Sequence, residues 1–176
     1  MKIFPALLLL CCAGCASNYP YYFIPSPAEV RIQPEGSALI ARTLITVLEG
    51  QKGEKGQPPR MLIRLRVENL SDAAIRLDAS SLHLVTSDLS EFGAALVNPP
   101  DTEVPPNEKR TYDLRFPFPA NLSLSAPSLT GLHLNWRIDY ADGTADVSTT
   151  FQRSLDPAGY YPDSNVRWSV GVGIYG

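Results

Sequence analysis

The sequence predicts an all-β fold, an antiparallel β-sandwich of about seven strands. Three observations carry that prediction. The dominant period of apolar residues from residue 37 onward is two, an Asp-Gly pair joins two alternating runs, and no segment shows a convincing amphipathic helix.

The elements follow in order. Residues 38–48, ALIARTLITVL, form a long apolar and β-branched run that reads as a strand. Residues 49–60, EGQKGEKGQPPR, are polar and glycine-rich, as a hairpin loop would be. Residues 61–68 alternate: Met61, Ile63, Leu65 and Val67 face one way, Arg64, Arg66 and Glu68 the other. NLSD, 69–72, is a turn, and short strands are expected around Ala74 to Leu77 and Leu82 to Thr86. After a looser stretch, VPPNEKR is a second turn, leading into a strand with Tyr112, Leu114 and Phe116 on one face.

The clearest alternation comes next. Leu132, Leu134, Trp136, Ile138 and Tyr140 interleave with His133, Asn135, Arg137 and Asp139, then Ala145, Val147, Thr149 and Phe151 continue on a return strand. Asp142-Gly143 between them is the expected turn, of type I′, which needs positive φ at both central positions. Trp136 is expected at the centre of the core.

All the cysteines of the chain, Cys11, Cys12 and Cys15, fall within LLLLCCAGCASNYP. Redox or zinc chemistry would need a strand-helix setting or a second cysteine pair, and neither exists. A disulfide between such near neighbours closes with difficulty. Processing fits instead: a charged start at Met1 and Lys2, an apolar run from Ile3 to Leu10, and small residues at Ala13 and Gly14. The run is too short to span a bilayer, which takes about 20 residues. Cys12-Ala13-Gly14-Cys15 resembles the lipobox of bacterial lipoprotein signal peptides, with Cys12 where the family usually carries Leu. The resemblance implies cleavage before Cys15 and acylation of Cys15. By the family's sorting rule, Ala16 in second place implies an outer-membrane location facing the periplasm.

Domain boundaries follow. Residues 1–14 are a signal peptide and 15–36 a lipidated, Pro/Tyr-rich tether. Residues 37–153 are the sandwich, and 154–176 a Gly/Tyr-rich tail. Pro20, Pro25, Pro27 and Pro34 favour an extended spacer, and Tyr19, Tyr21, Tyr22 and Phe23 suit either a membrane interface or packing on the domain. In the tail, Trp168, Val170, Val172 and Ile174 share one face of an extended segment and form a candidate interaction strand. Its partner edge is the domain's own sheet, the aromatic tether, or another protein.

VENLSDAAIRLD (67–78) followed by VPPNEKRTYDLRF (104–116) resembles the immunoglobulin-like domains of bacterial surface lipoproteins and the water-stress type of sandwich. The resemblance implies an immunoglobulin-like antiparallel sandwich; its motifs are structural, and such folds host many roles.

Catalytic chemistry finds no constellation. His83 and His133 are expected on strands, pointing outward, with no G-x-S-x-G elbow in the chain. Asp139, Asp142 and Asp146 around Gly143 offer oxygen ligands, but a solvated hairpin explains them and no calcium-loop spacing is present. Asn69-Leu-Ser71 and Asn121-Leu-Ser123 read as turn residues rather than glycosylation sites. The net charge of −3 and the absence of a basic run exclude nucleic acid as an expected partner. The expectation is therefore binding without catalysis or cofactor. The chain would be held to a membrane through acylated Cys15 and act on an envelope protein. A stress-protective module or a periplasmic hydrolase with an unrecognised site are the alternatives.

Overall fold

A computed structural model describes residues 22–51, 57–92 and 96–154. The strands are β1 Tyr22–Ser26, β2 Glu29–Ile32, β3 Ala41–Gln51, β4 Arg60–Asn69, β5 Ile75–Thr86 and β6 Glu91–Phe92. They continue with β7 Leu96–Asn98, β8 Glu103–Val104, β9 Lys109–Pro117, β10 Gly131–Tyr140 and β11 Gly143–Ser154. They build two antiparallel sheets packed as a sandwich. One runs β1-β11-β10-β5-β6, with β8 also on β5; the other runs β2-β3-β4-β9-β7.

Much of the core consists of the alternating residues read from the sequence. Met61, Ile63, Leu65 and Val67 of β4 meet Tyr112, Leu114 and Phe116 of β9 across one sheet, and all are fully buried. Leu132, Leu134, Trp136 and Ile138 project from the other, with Trp136 only 1% exposed. Period-two alternation places one residue set in this layer and the other in solvent, so a one-residue slip would invert the whole pattern.

The expected tether is partly domain. From Tyr22 onward the chain pairs with β11 along β1, then crosses to the other sheet and pairs with β3 along β2. Phe23, Val30 and Ile32 are core residues. Of the prolines that favour a spacer, Pro25 lies in β1, an edge strand where a missing N–H leaves no ladder bond unmade; Pro27 and Pro34 fall in the connections after β1 and β2, and Pro20 lies outside the described residues. Of the aromatic residues with two readings, Phe23 packs on the domain and Tyr22 is half-buried. Tyr19 and Tyr21 lie outside the described residues. Gly36, with φ +72°, lets the turn after β2 close through the Ser37 N–H donating to Pro34 O at 3.1 Å.

Other differences concern detail within the predicted sandwich. Among the described residues there are eleven strands rather than about seven, because β1, β2 and the very short β6, β7 and β8 join the longer ones. The two short strands expected between 74 and 86 are one, β5, interrupted in its pairing. At the β10–β11 hairpin Tyr140 pairs with Gly143, so Ala141 and Asp142 are the loop residues. Neither they nor Gly143 has positive φ, and the turn is not type I′. Arg153 and Ser154 still belong to β11, carrying the domain one residue past the expected boundary.

The two motifs that resembled surface-lipoprotein domains touch each other. Asn69, 1% exposed at the end of β4, donates through Nδ2 to Ala73 O at 2.8 Å and to Val104 O and Pro105 O at 3.0 Å each. Its Oδ1 accepts from the Ser71 N–H at 3.0 Å and from Ser71 Oγ at 2.8 Å. One side chain thus fastens the β4–β5 turn to the chain between β8 and β9. The Asn69-Leu70-Ser71 pattern is a turn, as its composition suggests.

Candidate interaction surfaces

The interruption in β5 creates a concavity on the described surface. Asp78 pairs with Arg137 and His83 with Asn135, so residues 79–82 bulge opposite the single residue Trp136. Such a bulge breaks the ladder and re-aims side chains. The Ser80 N–H and Oγ both donate to Asp78 Oδ1, at 2.9 and 2.6 Å, and Ser81 Oγ donates to Asp78 O at 2.7 Å. The result on the outer face of the β5–β10–β11 sheet is an open depression of about 510 Å³. Asp78, Ser81, Asn135, Arg137, Asp146 and Ser148 are among the residues that line it.

Its electrostatics are settled locally. Hydrogen bonds from Ser80 hold the Asp78 carboxyl below its ordinary range, with help from Arg137 and Arg76. Arg137 Nε donates to Asp146 Oδ1 at 2.7 Å. His83 Nδ1 lies 2.8 Å from Glu91 Oε1, and His133 Nδ1 lies 3.2 Å from Thr150 Oγ1. Asp139 pairs with Arg76 at 3.4 Å. Asp139, Asp142 and Asp146 are therefore not drawn together. No group of three His, Cys, Asp or Glu side chains among the described residues could hold a metal ion. What the depression offers is a set of hydrogen-bond donors and acceptors on a solvated floor, suited to a polar contact.

The opposite face has a different character. Along β4, Arg60, Arg64 and Arg66 point outward; β9 adds Lys109 and Arg115, and β2 and β3 add Arg31 and Arg42. The carboxylates described among them are Glu29, Glu68 and Asp113. Glu68 meets Lys109 at 2.8 Å and Arg42 at 2.5 Å, and both hold its carboxyl below the usual range. Arg64 clamps Asp113 with two hydrogen bonds, at 2.8 and 3.1 Å, and lowers its pKa in the same way. Arg66 and Arg115 are exposed and have no ion-pair partner among the described residues. Leu44, 44% exposed, stands on β3 opposite Arg66, and Leu48, 40% exposed, lies further along the same strand.

Cys15 and the terminal residues Trp168, Val170, Val172 and Ile174 lie outside the described residues. No sequence motif marks either surface. The outward arginines were visible in the β4 alternation, but their lateral neighbours depend on strand order. The depression has no sequence signal beyond the serine pair at 80–81.

No helix among the described residues is long and apolar enough to cross a membrane. No family model matches the sequence, and no curated protein matches it. Among solved structures the chain is similar to a secreted protein from Mycobacterium tuberculosis, MPT63. The identity is 15%, the TM-score 0.41, and the match covers 67% of this chain and 88% of that one. It is also similar to a structural-genomics target, SoR45, at 14% identity and TM-score 0.36, covering 73% of this chain and 95% of that one.

Proposed function

We propose that this protein is a lipid-anchored accessory of the bacterial cell envelope that acts by protein–protein contact rather than by catalysis. The observation that carries the reading is Cys12-Ala13-Gly14-Cys15 directly behind the apolar run Ile3 to Leu10. A triacylated Cys15 anchors stably, since a second chain turns marginal binding into lasting attachment. In this reading the outer membrane, on its periplasmic side, is the location. The bulged depression around Asp78 and Arg137 supplies polar contacts to an envelope partner, and the terminal segment with Trp168, Val170, Val172 and Ile174 supplies an apolar strand.

Metabolic labelling with a fatty-acid analogue tests the anchor. The natural chain should incorporate label, as should Cys11→Ser and Cys12→Ser, while Cys15→Ser should not. Label retained by Cys15→Ser would refute the assignment.

A further inference from the structure

We propose that the outer face of the β2-β3-β4-β9-β7 sheet is a docking surface for anionic phospholipid. The chain has a net charge of −3, yet its basic residues are segregated. On this face Arg60, Arg64, Arg66, Lys109 and Arg115 from two adjacent strands outnumber the described carboxylates. The opposite face carries Asp78, Glu91, Asp139 and Asp146 against Arg76 and Arg137, an acidic surplus. The sandwich is therefore electrically polarised across its thickness. A field of one sign close to an oppositely charged surface orients a protein and holds it.

Two further features select a lipid surface as the occupant. The first is reach. Cys15 precedes Tyr22 by seven positions, which span at most about 25 Å of extended chain, so an acylated Cys15 keeps the domain against the bilayer. This part rests on the anchor reading. The end of the sandwich where β1 begins is also the end bearing the last residues of β3. A Cβ at Gly50 would lie 3.6 Å from the Phe23 ring, and Gly50 pairs with Met61, next to Leu62 and its partner Arg115. Arg115 and Leu48 thus stand at the anchored end. The second feature is composition: Arg66, which has no ion-pair partner among the described residues, pairs across the sheet with the exposed Leu44, and the exposed Leu48 lies further along β3. Guanidinium groups bind phosphate oxygens in bidentate fashion, and leucines at their side suit the headgroup boundary.

Flotation with vesicles tests the face apart from the anchor, using the full chain carrying Cys15→Ser so that no acyl chain contributes. Binding to phosphatidylcholine vesicles containing phosphatidylglycerol should exceed binding to phosphatidylcholine alone, and high salt should abolish the surplus. Arg66→Gln and Arg115→Gln should each lower the surplus about fivefold, and the pair together roughly 25-fold. Arg66→Lys should retain most of it. Leu89→Ser, at the exposed turn after β5 in the other sheet, should change nothing. Equal binding to both vesicles, a surplus indifferent to the paired substitution, or one that follows Leu89 would overturn the proposal. So would salt-sensitive self-association, seen by sedimentation and abolished by the same arginine changes without vesicle preference, which would make the acidic face of a second copy the occupant. Label retained by Cys15→Ser would refute the anchor at Cys15, and flotation of the chain with Cys11, Cys12 and Cys15 all changed to serine would then decide the face.

Discussion

Replacing Asn69 isolates a single side chain that ties three segments together. Its Nδ2 has two protons for the carbonyls of Ala73, Val104 and Pro105, so one proton is shared, and Oδ1 accepts two further bonds from Ser71. Asn69→Ala removes about four bonds' worth of pairing. Each is worth about 1 kcal/mol net, and water can reach the more exposed Ser71 and Ala73 but not the buried Val104 carbonyl. The expected loss is about 3 kcal/mol, a large share of the roughly 5–15 kcal/mol that holds a domain together. At about 2–4 °C per kcal/mol for a domain of this size, Tm should fall by roughly 6–12 °C. Asn69→Asp discriminates between lost volume and lost donors. It keeps the acceptor for Ser71 but sets a carboxylate oxygen against the carbonyls, so it should be worse than alanine at neutral pH. Its deficit relative to the natural chain at the same pH should shrink as acid restores a carboxyl proton. Chemical denaturation of the three proteins across pH measures this. An alanine variant within about 1 kcal/mol of the natural chain, or an aspartate variant milder than alanine, would refute the reasoning.

Trp136→Ala should cost about 3–5 kcal/mol or prevent folding, because the ring is fully enclosed. Trp136→Phe should cost much less, since Nε1 has no hydrogen-bond partner among the described residues and its removal orphans nothing; urea titration separates the two. The Asp113 carboxyl is held low by Arg64, Glu68 by Lys109 and Arg42, and Asp101 by Arg110. Groups with depressed folded pKa values contribute stability that is present above their unfolded values, about 4, and lost as pH falls through the folded ones. Tm should therefore decline below about pH 4, and less steeply in Asp113→Asn, by scanning calorimetry; a decline of equal slope in both would refute the Asp113 contribution.

The fold class was written locally. Alternation in residues 61–68, 111–116, 132–140 and 145–151 is a property of neighbouring residues, and a half-buried strand needs nothing else to declare its inward face. Trp136, Tyr112 and Phe116 could be placed in the core for that reason. Residues 22–32 form two strands where the sequence predicts a spacer, because proline is ambiguous without its surroundings: it signals a spacer in isolation, yet an edge strand accepts it. Val30 and Ile32 already alternated with Glu29 and Arg31, a period-two trace too short to outweigh the prolines. The hairpin turn shifted by one residue because the pairing of Tyr140 with Gly143 is set by the two strands together, not by the Asp-Gly pair.

The surfaces were out of reach for a deeper reason. Each strand states which of its residues point outward but not which strand stands beside it, so Arg66 and Arg115 share a face only once β9 is known to pair with β4. Segregation of charge between two faces is likewise a property of strand order across sheets, built from contacts distant in sequence. Alternation between near neighbours in the chain is enough to define the inward-facing residues, and the cysteine box at 12–15 is likewise local. Which charges lie together depends on strand order, because lateral neighbours in a sandwich are chosen by long-range pairing.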